Sequence, residues 1–149
     1  MTYRFDELSI RLSDDKESFE KINDIYNDIF NGKIPLIHDS KRKLDENLIV
    51  LAQYKDYKED AYTFSVFADD CDTLFQIHKW INYGDIVLFE GKGSTINEAR
   101  INAREKLIED TKIKRTFRND FECIVPKNDS KDGKVHCSLY VGIENKYDI

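Results

Sequence analysis

Residues 84–112, GDIVLFEGKGSTINEARINAREKLIEDTK, spell a strand, a turn and a helix in immediate succession. Ile86 to Phe89 form a branched and aromatic run that favours a strand, and Gly91 and Gly93 close it. Thr95 and Glu98 then stand at capping-box spacing, T-x-x-E, where each side chain can satisfy a backbone N–H of the first turn. Beyond them Ile96, Ala99, Ala103 and Leu107 recur at steps of three and four, which places one apolar stripe along a helix.

Downstream, DFECIVPK (120–127) and KVHCSLYVGIE (134–144) read as two strands joined by the polar turn NDSKDG. The first half has the same order. FDELSIRLS (5–13) alternates Leu8, Ile10 and Leu12 to one face, as a half-buried strand does. SDDKESFEKINDIYNDIFNGK (13–33) carries Phe19, Ile22, Ile25, Tyr26, Ile29 and Phe30 at helical spacing. Ser13 or Asp14 can cap its start, with Glu17 completing a box on Asp14, and Gly32 suits the left-handed position after its end.

A polar connection, IPLIHDSKRKLDE (34–46), leads to the strand-like runs NLIVLAQYK and AYTFSVFAD, with DYKED as a hairpin turn. In the second run Tyr62, Phe64 and Val66 share one face, and Thr63, Ser65 and Phe67 the other. DCDTLFQIHKWINYGD (70–85) is the least readable segment, a turn of helix or a crossing loop. The expected architecture is α+β: one domain over residues 1–149, built from two strand-helix-strand-strand repeats at about 5–68 and 85–144. The open sheet faces of the two halves would be free to form a groove between them.

The 149 residues are 40% hydrophobic and 35% charged, a globular composition able to bury a core. A net charge of −6 argues against direct nucleic-acid binding, which draws its affinity from Lys and Arg. The basic run of Lys112, Lys114, Arg115 and Arg118 follows a helix, where cations complement the dipole. No run reaches the roughly 18 apolar residues of a membrane span, and the N-terminus lacks a signal-peptide pattern. Cys71, Cys123 and Cys137 are odd in number and without C-x-x-C spacing, so reduced thiols in the cytoplasm are expected. His38, His78 and His136 have no metal-ligand spacing; neither metal nor cofactor is expected. Gly91-Lys92-Gly93-Ser94 lacks P-loop spacing, and no G-x-S-x-G marks a nucleophile.

Within RNDFECIVP (118–126), Glu122 interrupts an apolar run. A buried carboxylate is costly unless paired, so it must be protonated, hydrated or matched by a cation; on a one-sided strand it would simply point outward. Alternation puts Ile124 on its face, and Phe121, Cys123 and Val125 opposite, under the helix.

Gly84, the Gly91/Gly93 turn, the helix from Thr95, Phe121-Glu122 and the closing Leu139-Tyr140-Val141-Gly142-Ile143 together resemble the GyrI-like small-molecule-binding domain. That family includes the effector-binding domains of AraC- and MerR-type multidrug regulators. The resemblance covers residues 80–144 directly and 1–70 through element order. It implies two SHS2-type modules related by a pseudo-twofold axis with a ligand cleft between them, and a glutamate at the bottom of that cleft that by position is Glu122. No helix-turn-helix fits beside such a domain in 149 residues, so a stand-alone member is expected.

The expected function is cytosolic capture of amphipathic aromatic, cationic compounds, with Glu122 as anchor and Tyr54, Trp80, Tyr83 and Tyr140 lining the cleft. Two alternatives follow from the same resemblance. Some relatives hydrolyse reactive electrophilic natural products, which would make Glu122 a general base. Others include an inhibitor of DNA gyrase, which would make the protein partner the target.

Overall fold

The computed structural model describes residues 7–34, 49–69, 71–145 and 147. Most of the polar connection read at 34–46, with His38, lies outside them. The order is β1 (Leu8–Ser13), α1 (Lys16–Phe30), β2 (Ile49–Lys58), β3 (Ala61–Asp69), α2 (Asp72–Tyr83), β4 (Ile86–Gly93), α3 (Ile96–Glu109), β5 (Asp120–Val125) and β6 (Val135–Gly142). All six strands join one antiparallel sheet in the order β1-β3-β2-β5-β6-β4. The fold is α+β.

Alternation sorts the side chains into two faces. Leu8, Ile10 and Leu12 stand opposite Val66, Phe64 and Tyr62, whose face continues through Ala52 and Tyr54 to Glu122, Ile124, Leu139 and Phe89. α1 and α3 cover this face side by side, burying Ile22, Tyr26, Ile96, Ala99 and Ala103 against it. Asn23 Nδ2 donates to Asn97 Oδ1 across the two helices at 2.7 Å.

The opposite face carries Leu51, Phe121, Tyr140 and Leu88, and α2 lies on it through Leu74, Ile77, Trp80 and Ile81. The segment with no clear sequence signal is thus a three-turn helix. Gly84 ends it in the left-handed region at φ +87°, where Gly84 N–H donates to Ile81 O and Asp85 N–H to Trp80 O. Its first turn is held from outside, by the Asp69 carboxylate accepting from the Thr73 and Leu74 N–H groups.

Two expectations are corrected by this layering. Phe121 and Cys123 lie under α2, whereas Glu122 and Ile124 lie under α1 and α3. The halves do not face each other across open sheet surfaces, because β2 pairs directly with β5 through Leu51 to Tyr54. At the start of α1 the cap is Asp15, which accepts from Ser18 N–H at 2.8 Å. Asp14, one position earlier, donates its backbone N–H to Asp60 O in the β2–β3 turn. Gly32 does adopt the left-handed position, at φ +79°.

Gly91 serves helix-to-strand contact more than a turn. It lies inside β4, and a Cβ there would sit 2.3 Å from Ala103 N and 2.4 Å from Ala99 O. These are backbone atoms of a rigid helix, so neither can yield locally. We expect Gly91→Ala to lower unfolding free energy by about 1–3 kcal/mol, the usual cost of overpacking, measured as a lower urea midpoint at unchanged m-value.

Candidate functional site

Glu122 occupies the middle of the sheet with no solvent exposure. Tyr26 and Tyr54 each donate a phenolic hydroxyl to its Oε1 at 2.7 Å. Arg100 Nε lies 3.1 and 3.2 Å from its two oxygens, and Arg104 Nη1 donates to Oε2 at 2.6 Å. The Cys137 thiol adds a weak bond at 3.6 Å. Arg100 is itself buried: Nη1 donates to Phe19 O and Asn23 Oδ1, Nη2 to Tyr54 OH, and the guanidinium lies 3.9 Å from the centre of the Phe19 ring.

Burial alone would raise the Glu122 carboxyl, but Arg100 and Arg104, aided by the two phenols, hold it well below the usual carboxylate range. Burial pushes the Tyr26 and Tyr54 phenols up. Both tyrosines therefore remain neutral donors to an ionised acceptor. The expectation of an unpaired carboxylate awaiting a cation is corrected: Glu122 is inside, yet two guanidiniums from α3 neutralise it.

Beside this network a cleft of about 270 Å³ opens between the start of α1 and the C-terminal half of α3. Its walls include Phe19, Tyr54, Tyr57, Tyr62, Arg104, Arg115, Phe117 and Asp120. Tyr57 reaches it through a bulge. Strict alternation would turn Tyr57 away from Tyr54, but Asp56 takes φ +56° and the β2–β3 register shifts between Lys55 and Lys58. The extra residue returns the Tyr57 ring to the Tyr62 ring, 5.6 Å away.

Phe117 is also held in the left-handed region, at φ +58°, which a side chain of its size adopts only against strain. Its half-exposed ring covers the Arg115 guanidinium at 4.2 Å and meets the Tyr57 ring edge-on at 5.3 Å. Arg115 Nη2 donates to the buried carboxylate of Asp120 at 2.7 Å. Asp120 also accepts from Gly142 N–H and from Tyr57 OH. Burial, with the Asp120 charge, pushes the Tyr57 phenol up. Arg115 Nε is buried and finds no protein acceptor among the described residues, a state costing about 1–3 kcal/mol.

The five residues singled out from sequence do not form one site. Tyr54 lines the cleft, and Glu122 lies in the network beneath it without lining it. Trp80 and Tyr140 belong to the opposite face, where Trp80 stacks on Phe121 at 6.2 Å and Tyr140 is buried. Tyr83 is exposed at the end of α2. Sequence reasoning missed Arg100, Arg104, Arg115, Tyr57, Tyr62, Phe117 and Asp120. A usable signal existed for two of them: Arg100 and Arg104 are four apart, next to the small residues Ala99 and Ala103 that mark the buried stripe. Among the described residues no cluster of His, Cys, Asp and Glu could hold a metal ion, and no helix is long and apolar enough to cross a membrane.

Removing the Glu122 charge leaves two guanidiniums uncompensated, one of them fully buried. Glu122→Gln is expected to cost about 3–5 kcal/mol of stability, read from chemical denaturation at neutral pH. Because the folded carboxyl is depressed, its stabilising contribution is complete above the unfolded value of about 4.3 and is lost as pH falls below it. The melting temperature of the wild type should therefore fall more steeply under acid than that of Glu122→Gln; parallel profiles would contradict the ion network.

No family model, no curated protein and no solved structure matches the chain.

Proposed function

We propose that the protein is a small-molecule-binding module whose site is the cleft between α1 and α3. The observation that carries this reading is the wall itself: aromatic faces from three separate segments and two partly exposed guanidiniums converge on one concavity. Protein ligand sites typically combine an apolar, aromatic lining with a few placed polar groups. Strained backbone at Asp56 and Phe117, which aims two of those rings, supports a binding role, since such strain concentrates at functional sites.

The strand order lends support to a repeat reading. From either outer edge inward, each half presents its first strand, then its third, then its second. That order agrees with two strand-helix-strand-strand modules about a pseudo-twofold axis, as in the GyrI-like domains the sequence resembles. In this reading the cleft lies where the helices of the two modules meet. The odd number of cysteines agrees with a cytosolic setting.

A hydrolytic role for Glu122 fits less well. Its two oxygens accept from Tyr26, Tyr54, Arg100, Arg104 and Cys137, and its carboxyl is held far from a working base near neutral pH.

Amide chemical-shift mapping with a library of one- and two-ring aromatic compounds tests the binding reading. Perturbations are expected around Tyr57, Tyr62, Arg104 and Phe117. Phe117→Gly removes the ring while suiting the left-handed backbone, and it should weaken binding about tenfold without unfolding the protein. Perturbations gathered under α2, or none at millimolar compound, would refute the assignment of the site.

A further inference from the structure

The ligand class follows from which polar groups of the cleft are already committed. Both buried carboxylates are engaged: Glu122 by two guanidiniums and two phenols, Asp120 by Arg115, Tyr57 and the Gly142 N–H. The guanidiniums are not exhausted. A guanidinium has five N–H groups. Arg115 uses its Nη2 on Asp120, and its Nε, although buried, donates to no described protein atom. Arg104 spends Nη1 on Glu122 and Arg100 O, and Nη2 on Tyr54 OH. The side chains of Arg104 and Arg115 remain 23% and 30% exposed, enough for a ligand to reach them.

Within the buried ion network Arg100, Arg104 and Arg115 are paired with only two carboxylates, Glu122 and Asp120, leaving one cation in excess. Of the acidic residues on the wall, Asp120 is engaged by Arg115, Tyr57 and the Gly142 N–H, and Asp15 is bound to Ser18 N–H as the cap of α1. A cationic guest beside Arg104 and Arg115 would meet guanidiniums, whereas an acid would meet donors there.

We propose that this cleft takes an aromatic carboxylic acid, its carboxylate set against Arg104 and Arg115 and its ring laid against the wall that Phe117, Tyr57 and Tyr62 form. The proposal rests on the cleft being a ligand site and names what that site selects. Guanidinium forks match the planar carboxylate by charge-assisted hydrogen bonds. The aromatic rings supply flat contact area with few rotors. A volume of about 270 Å³ suits a one- or two-ring compound.

The test compares three ligands of nearly one shape, 1-naphthoate, 1-naphthamide and 1-naphthylmethylammonium, by calorimetry with the wild type, Arg115→Lys and Arg115→Gln. Naphthoate should bind at least tenfold more tightly than the amide, and the ammonium compound most weakly. Arg115→Gln should reduce that preference to below threefold while amide affinity persists, and Arg115→Lys should restore it in part. Should the variants not fold, the Arg115 Nε–H resonance of the wild type provides the readout, moving with naphthoate and not with the amide. Equal binding of acid and amide overturns the acid preference and leaves the cleft as a ligand site. Tightest binding by the ammonium compound overturns it in favour of a cation site. Binding of none of the three overturns both the preference and the site.

Discussion

The ion triad of Glu122 with Arg100 and Arg104 is the contact through which the rest of the protein is connected. Glu122 belongs to β5, the arginines to α3, Tyr54 to β2, and Tyr26, Asn23 and the Phe19 carbonyl to α1. Four elements from both halves of the chain thus meet at one carboxylate. Buried ion pairs contribute little net stability over an apolar equivalent, because desolvation offsets attraction. Their effect here is geometric. The guanidinium of Arg100 has donors in fixed directions, and each finds an acceptor only when α1, α3 and the sheet stand in this relation. Apolar contacts alone would allow the two helices to slide along the sheet.

The cleft is a by-product of the same arrangement. Arg104 binds Glu122 with one end and leaves part of its side chain exposed, so the network has a solvent-facing limit. Next to that limit the chain departs from regular geometry twice, through the bulge at Asp56 and the left-handed Phe117. Regular alternation would have placed Tyr57 on the other side of the sheet, and an extended residue at 117 would aim its ring elsewhere. Both departures have the same outcome, an aromatic wall facing guanidiniums.

The order of elements was legible because helices and strands leave periodic marks. β1, α1, β3 and α3 follow from the spacing of Leu8, Ile10 and Leu12, of Phe19 to Phe30, of Tyr62 to Phe67, and of Ile96 to Leu107. α2 was obscured because one of its stop signals, Gly84, reads equally as the start of the next strand, and its N-terminal cap comes from Asp69, outside the helix. Glu122 was identifiable as anomalous, but its partners were not, since they lie 15 to 96 positions away and no local rule links them. Tyr57 could not be placed at all by parity, because a bulge inverts parity for everything beyond it. Trp80 and Tyr140 carried the composition of a ligand site, and the structure places them where α2 packs on the sheet, away from the cleft.

The strand pairing at the centre of the sheet has a mechanical consequence. β2 and β5 share four residue pairs, Leu51 to Tyr54 against Cys123 to Asp120, whereas β4 and β6 share eight. The ladder where the two halves join is thus the shortest of the sheet, and side-chain polar bonds also cross that line. The bonds of Tyr26 and Tyr54 to Glu122 therefore add to the cohesion of this seam. The protection of amides along β5 from exchange measures how firmly the two halves are held.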